Sequence, residues 1–241
     1  MVEKPVETIM TTIEGTRNMM EFAVRCNMQG CVYLSSMEAY GTVDADFGEV
    51  SEQDLGYIDL TNVRSSYSES KRMAECLCAA YASEYGVNIK VARLAQTFGA
   101  GISKDENRVF AQFAKSVLTG EDIILHTKGD KANCYCYTSD AVAGILMLLT
   151  KGESGQVYNI SNEETFCSVK EMAEIFLEYD NTAKCKLRIE IPENVNSLGY
   201  APSSVLKLNS EKIRMLGWRP QKNMKDMAYR LMESMKSWEK L

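Results

Sequence analysis

Short apolar segments alternate with helical patterns through the first hundred residues, and this alternation constrains the fold more than any other feature. Residues 31–34 and 88–94 read as buried strands. The spacing of apolar residues predicts helices over 8–27 and 62–85, and Gly86 stands where the second helix should end. Strands that alternate with helices form parallel sheets with helices on their faces, so we expect an α/β protein.

Past residue 99 the pattern is more mixed. It predicts helices over 106–118, 138–149, 168–179 and 224–238, and strands over 122–126 and 156–160. Ser168 and Glu171 have the spacing of a capping box at the start of the third of these helices. A cap for the second helix is expected at Thr138 or Ser139.

Composition excludes several classes of function. A net charge of −6 argues against nucleic acid or an anionic membrane as the main partner. The eight cysteines form no Cys-x-x-Cys pair and His126 is the single histidine, so we expect no zinc site, no disulfide framework and no Ser-His-Asp chemistry. Reduced thiols in a cytoplasmic protein are the expectation, with His126 in a structural role.

Three residues have the pattern of a proton-transfer site. Tyr67 and Lys71 are four residues apart on a predicted helix, so they share one face, and Ser36 follows the apolar strand before them. A nearby positive charge lowers the pKa of a tyrosine phenol, which makes such a phenol a usable base. By chance this chain would hold about one Tyr-x-x-x-Lys, so the spacing alone fits an exposed helix face better than a catalytic pair. Its place near the carboxyl end of a parallel strand favours the functional interpretation.

Longer motifs extend this pattern along the whole chain. They are Thr12-Ile13-Glu14-Gly15-Thr16-Arg17-Asn18, Val32-Tyr33-Leu34-Ser35-Ser36 with Tyr40-Gly41, Tyr67-x-x-x-Lys71, Arg93-Leu94-Ala95-Gln96-Thr97-Phe98-Gly99, Tyr137-Thr138-Ser139-Asp140-Ala141-Val142, and Tyr158-Asn159-Ile160 with Leu216-Gly217-Trp218-Arg219-Pro220. In this order and spacing, they resemble the NAD-dependent epimerase/dehydratase family. These are extended short-chain dehydrogenases/reductases that act on nucleotide sugars.

The resemblance implies a fold. Residues 1–100 would be the C-terminal half of a Rossmann NAD-binding domain, giving an incomplete Rossmann-type parallel sheet that carries the catalytic residues. Residues 101–241 would be mainly a smaller, mixed α/β substrate lobe, with 138–165 returning to the Rossmann part. A homodimer formed through the helices 8–27 and 62–85 is what the family suggests.

The resemblance also implies roles for individual residues. Tyr67 would be the acid/base at a sugar hydroxyl, Lys71 would assist it and hold the nicotinamide ribose, and Ser36 would orient the hydroxyl during transient oxidation to a keto-sugar. The NAD site would further include Thr12, the backbones of Leu34 and Ala95, and the side chain of Ser35. The nucleotide-sugar substrate would contact Gln96, Arg108 and Lys131, although Arg108 and Lys131 also fit ordinary surface cations.

Two neighbouring residues bear on the type of reaction. Glu38 would be a catalytic residue in members that react at the carbon beside the ketone, although a solvated loop carboxylate fits equally well. Met37 stands where dehydratases place an aspartate, and a thioether cannot donate a proton. The sequence therefore favours epimerisation or a decarboxylase-like reaction over dehydration.

No glycine-rich turn for the diphosphate of NAD is found. Gly15, Gly30 and Gly41 are the first glycines, and none has the strand–turn–helix spacing that such a turn requires. Three interpretations stay open: an enzyme seen as an N-terminally truncated chain, a non-catalytic nucleotide-sugar-binding or assembly module, and a chain completed by a second polypeptide. In each we expect the isolated chain to be inactive, with an unpaired edge on its sheet.

Overall fold

The computed structural model describes residues 3–43, 48–182, 184–192 and 204–236. The elements in chain order are α1 (Pro5–Arg25), β1 (Cys31–Ser36), a 3-10 helix (Met37–Tyr40), β2 (Glu49–Val50), α2 (Ser65–Tyr85), β3 (Ile89–Leu94), β4 (Gln96–Phe98), α3 (Val109–Thr119), β5 (Ile123–Leu125), β6 (Ala132–Tyr137), α4 (Thr138–Lys151), β7 (Val157–Ile160), β8 (Asn162–Ser168), α5 (Val169–Leu177), β9 (Leu187–Ile189), β10 (Val205–Leu208), α6 (Glu211–Met215) and α7 (Met224–Lys236). The expected α/β class with parallel strands is confirmed.

The chain forms two compact units. The first comprises Met1–Ala95, Ala141–Ser161 and Leu208–Arg219, and the second comprises Gln96–Asp140, Asn162–Lys207 and Pro220–Leu241. No helix in the described ranges is long and apolar enough to cross a membrane.

A parallel three-stranded sheet organises the first unit. Its strand order is β1-β3-β7, and α1 and α2 pack together beside it. The core on the helical side is apolar and contains Met20, Ala23, Cys78, Val87, Ile89 and Val91. On α4, Gly144 permits a close approach, since an added Cβ would lie 3.1 Å from Ile160 and 3.2 Å from the Trp218 indole nitrogen.

Strand β1 has one partner in the described part of the chain. It pairs with β3 from Cys31 to Ser36, and its other edge is not paired there. Leu34, in the middle of this strand, is 44% exposed. A strand that is central to a parallel sheet would be buried, so β1 has the character of an edge strand.

The second unit has its own core. β6 pairs in parallel with β4 and β10 and antiparallel with β8, while β5 pairs in parallel with β9. The helices α3, α5 and α7 pack around an aromatic core. There the rings of Phe98 and Phe110 stack at 4.4 Å and those of Phe113 and Phe176 meet edge to face at 6.1 Å.

Helix ends follow the local chemistry that the sequence indicated. Gly86 ends α2 in the left-handed conformation, at φ 68°. The Ser168–Glu171 capping box at α5 is present in both directions. Two helix starts were predicted three residues too early. Helix α2 begins at residue 65 instead of 62, and α3 begins at residue 109 instead of 106. The predicted end of α7 at residue 238 lies outside the described residues.

Candidate active site

Tyr67 and Lys71 lie on the first turns of α2. The Lys71 ammonium donates a 2.8 Å hydrogen bond to the carbonyl oxygen of Leu34 on β1. It also lies 4.8 Å from the ring centroid of Tyr33 and 5.7 Å from that of Tyr67, which allows cation–π attraction to both. Burial lowers the pKa of Lys71, and the negative charge of Glu75 opposes that change.

Ser36 ends β1 and starts the 3-10 helix. Its hydroxyl oxygen accepts a 3.2 Å hydrogen bond from the backbone N–H of Glu38, and the Glu38 side chain is exposed. The helix ends at Gly41, whose φ is 66°. An added Cβ at Gly41 would lie 2.5 Å from the carbonyl oxygen of Tyr57, so only glycine fits this turn.

Arg72 joins α2 to the segment that carries Ser36. Its guanidinium donates to the carbonyl oxygens of Ala39 at 2.7 Å, Tyr40 at 3.2 Å and Gly56 at 2.7 Å. These bonds satisfy three backbone acceptors in the loop that follows β1. The sequence motifs gave no role to Arg72, because its partners are main-chain atoms that no side-chain pattern identifies.

The residues expected at the cofactor already have hydrogen-bond partners within the protein. The Ser35 hydroxyl is buried and donates to Glu75 at 2.5 Å, so it is engaged inside the protein. The backbone N–H of Ala95 donates to the carbonyl oxygen of Ile160 at 3.1 Å. Thr12 is half-buried on α1 and donates to the Thr8 carbonyl oxygen at 2.9 Å.

Three residues expected at the substrate belong to the second unit. Gln96 begins β4 and is half-buried. Arg108 is paired with Glu106 at 2.7 Å and lies over the Phe110 ring at 4.8 Å. The Arg108 hydrogen bond lowers the pKa of Glu106 to about 2, so the two groups form an ion pair near neutrality. Lys131 is half-buried beside the start of β6.

His126 is exposed, and its Nδ1 lies 3.1 Å from the carbonyl oxygen of Glu190. All eight cysteines lie in the described part and are free thiols. Within that part, no group of three His, Cys, Asp or Glu residues could hold a metal ion.

The donor set fits one end of NAD. The Tyr67 phenol and the Lys71 ammonium are groups that can bind a ribose hydroxyl and handle a proton beside it. For the diphosphate, the described part offers no glycine-rich strand–turn–helix: Gly15 lies within α1, Gly30 precedes β1 and Gly41 follows the 3-10 helix. The residues present therefore fit the nicotinamide riboside end of the cofactor and provide no cradle for its diphosphate.

Comparison with known proteins identifies the family of this chain. Residues 1–161 match the model of the NAD dependent epimerase/dehydratase family. UDP-glucuronic acid decarboxylase 3 of Arabidopsis thaliana is 32% identical over 222 residues, which are 92% of this chain and 62% of that protein. UDP-N-acetyl-alpha-D-glucosaminuronate decarboxylase of Bacillus cytotoxicus is 25% identical over 244 residues, covering 99% of this chain and 68% of that protein.

Solved structures agree on the fold. UDP-glucose 4-epimerase of Thermotoga maritima, solved with UDP-glucose, superimposes with a TM-score of 0.85 at 21% identity, over 99% of this chain and 73% of that one. UDP-glucuronic acid 4-epimerase of Bacillus cereus, solved with NAD, gives a TM-score of 0.76 at 20% identity, over 94% of this chain and 68% of that one. The chain shares the Rossmann-type fold of these structures.

The chain belongs to the NAD-dependent epimerase/dehydratase family, as its motifs indicated. It spans 62% of the length of UDP-glucuronic acid decarboxylase 3 of Arabidopsis thaliana.

Proposed function

We propose that this chain carries the proton-transfer centre of an NAD-dependent nucleotide-sugar enzyme that works through a transient keto-sugar. One observation carries the proposal. Lys71 of α2 is bonded to the Leu34 carbonyl, two residues before Ser36, and lies beside the ring of Tyr67. Proton-transfer groups thus gather at the carboxyl end of a parallel strand, where ligands bind in such sheets.

Each residue of this centre has a chemical role. The Tyr67 phenolate removes the proton of the sugar hydroxyl that is oxidised, and the phenol so formed returns a proton when the ketone is reduced. The Lys71 ammonium stabilises the negative charge that the phenolate carries before it takes up the proton. The Ser36 hydroxyl can donate a hydrogen bond to the oxygen that becomes the ketone. Bound NAD would supply the acceptor for the hydride and later its donor.

The absence of an acid at Met37 favours decarboxylation or epimerisation. A carboxylate positioned beta to a ketone loses carbon dioxide without protonation of a leaving hydroxyl, so Met37 is no obstacle to that reaction. Five Arabidopsis thaliana relatives that are 30% or more identical over nine-tenths of this chain are UDP-glucuronic acid decarboxylases. We therefore place UDP-glucuronic acid first among candidate substrates, with epimerisation of a UDP-sugar second. Glu38 is exposed and available to a substrate in either case.

Substrate recognition would involve Gln96, Arg108 and Lys131. Arg108 is held by Glu106, so a diphosphate must compete with a carboxylate for it. No side-chain hydrogen bond or ion pair to the Lys131 ammonium is found within the described residues, so a phosphate would not have to displace a carboxylate there.

We further propose that the 241-residue chain does not turn over substrate by itself. It has no glycine-rich turn for the cofactor diphosphate, and β1 has an unpaired edge in the described part. The same two facts favour the second candidate function, a nucleotide-sugar-binding or assembly module. The third interpretation, completion by a second polypeptide, uses the same edge.

Two further expectations are proposals of the same kind. Exposed apolar residues on the helices α1 and α2 suit a homodimer contact, namely Val6, Met10, Met19, Phe22, Met73 and Tyr85. Free cysteines suit a cytoplasmic location. Light scattering of the purified chain would test the dimer, and a monomer at micromolar concentration would argue against it.

The function is tested by joining the family's glycine-rich, diphosphate-binding segment to the N-terminus of the chain. We expect this fusion to retain NAD and to release carbon dioxide from UDP-glucuronic acid. An isomeric UDP-sugar acid without carbon dioxide would identify an epimerase instead. A folded, NAD-containing fusion that binds UDP-sugars but forms no product would contradict the enzyme and support the binding module.

A further inference from the structure

A row of buried polar residues crosses the sheet of the first unit. Ser35 of β1, Arg93 of β3 and Asn159 of β7 are neighbours in register, and they are only 4%, 3% and 0% exposed. Such positions in a parallel sheet are usually filled by apolar residues. Polar groups buried there must be hydrogen-bonded, and they call for a physical reason to be present.

Glu75 of α2 is the group that ties this row to the helix. Its carboxylate accepts a hydrogen bond from Ser35 at 2.5 Å and holds the Arg93 guanidinium through Nε at 3.0 Å and Nη2 at 2.7 Å. Glu75 is 8% exposed, so this bidentate ion pair is shielded from water. One carboxylate therefore links α2 to the ends of two strands.

The remaining bonds of the row are also satisfied. Arg93 Nη1 donates to the carbonyl oxygen of Glu52 at 2.9 Å, and its guanidinium lies 4.8 Å from the centroid of the Tyr40 ring. The Tyr40 hydroxyl donates to Asn159 Oδ1 at 2.7 Å, and the backbone N–H of Asn159 donates to Glu52 Oε1 at 2.7 Å. A network satisfied in this way is rigid, and it fixes the backbone of β1 just before Ser36.

Glu75 also acts on Lys71 directly. The two residues are four apart on α2, which places their side chains on one face of the helix. The other titratable groups near Lys71 are Tyr33 of β1 and Tyr67 and Cys78 of α2. Burial raises the pKa of Tyr33 to about 12 and that of Cys78 to about 12, so both are neutral near pH 7. The carboxylate of Glu75 thus offsets the cost of burying the Lys71 charge.

We propose that Glu75 is a positioning residue for the Tyr67–Lys71 pair. Its carboxylate fixes the end of β1 through Ser35 and Arg93, and favours the charged form of the Lys71 ammonium, which donates to Leu34. Stability alone is a poor reason for such a group, because apolar residues of similar size often replace a buried ion pair without loss. The catalytic role of Glu75 rests on the proposed function, whereas its effect on the pKa of Lys71 can be measured in the chain itself.

The test is a pH titration of the Lys71 side chain by nuclear magnetic resonance in the 241-residue chain with isotope-labelled lysine. The Lys71 signal is assigned by its loss in Lys71→Arg. We expect Glu75→Gln to shift the Lys71 pKa downward and Glu75→Asp, which retains the charge, to restore most of it. Glu84→Gln removes the same charge from an exposed site on the same helix and should leave Lys71 unchanged. An unshifted Lys71 in folded Glu75→Gln would overturn the proposal.

Glu75→Gln leaves Arg93 buried without its partner, which can prevent folding. The double variant Glu75→Gln with Arg93→Gln removes both buried charges, and the same downward shift of Lys71 is expected in it. An unshifted Lys71 in the folded double variant overturns the proposal equally. The outcome separates the two claims: a shift in Lys71 supports the positioning role even if the fusion shows no turnover, and that failure would then concern the proposed function alone.

Discussion

Arg93 and Glu75 form a buried ion pair, and removing only one of the two partners should lower the stability of the protein. Their side chains are 4% and 8% exposed and 2.7 Å apart. Arg93→Met leaves the carboxylate of Glu75 buried without its partner, so we expect about 3–5 kcal/mol less stability in urea unfolding. The control is Arg17→Met, which breaks the exposed Arg17–Glu21 pair on α1. A change of under ~1 kcal/mol is expected there, and equal effects of both substitutions would contradict the account.

Glu106 should make stability depend on pH. The hydrogen bond from Arg108 lowers the Glu106 pKa from 4.5 to about 2. A carboxyl group whose pKa is lowered by folding stabilises the protein above its unfolded value, and this contribution is lost as pH falls through the folded value. The melting temperature of the parent should therefore exceed that of Glu106→Gln at pH 6, with the difference shrinking toward pH 2. A difference that does not change with pH would refute the assignment.

The catalytic candidates could be predicted from the sequence because they are close in sequence or lie in named motifs. Tyr67 and Lys71 follow from helical spacing, and Ser36 from its place after an apolar strand. Glu75 could not be predicted, because its partners come from two strands whose pairing is a tertiary property. Its spacing of four from Lys71 was the only available signal.

Glycine-to-alanine substitutions in the two long helices should have opposite effects on stability. Gly15 lies inside α1 and Gly86 ends α2 at φ 68°, and an added Cβ would contact nothing within 4 Å at either position. Gly15→Ala should therefore stabilise the protein by about 0.5–1 kcal/mol through helix propensity. Gly86→Ala should destabilise it by about 1–2 kcal/mol through the left-handed backbone. Denaturant unfolding measures both, and changes of the same sign would contradict this interpretation.

Elements with strong periodicity or clear caps were predictable, as were the short strands β5 and β7, whereas several other short strands were not. The helices α1, α2, α5 and α7 follow from apolar spacing. β4, β9 and β10 have only three or four residues, too few for a periodic pattern. β6 is buried at all six positions and carries tyrosines and cysteines, so it shows no alternation.

The whole chain is expected to bind NAD weakly. The riboside end has candidate ligands in Tyr67 and Lys71, whereas the diphosphate has no glycine-rich turn. The purified chain should therefore release no stoichiometric NAD on denaturation and show no saturation in a calorimetric titration at millimolar NAD. Stoichiometric NAD would show that another part of the chain holds the diphosphate, or that a copurified partner does.

The most direct test of the central claim is the turnover of Tyr67→Phe in the fusion with the glycine-rich segment. Removing the phenolic hydroxyl should lower carbon dioxide release from UDP-glucuronic acid by at least about a hundredfold, as loss of an acid/base group does. Tyr85→Phe, at an exposed position on the same helix, should leave the rate unchanged. If Tyr67→Phe turned over at the rate of the parent fusion, Tyr67 would not be the proton-transfer residue and the assigned centre would be wrong.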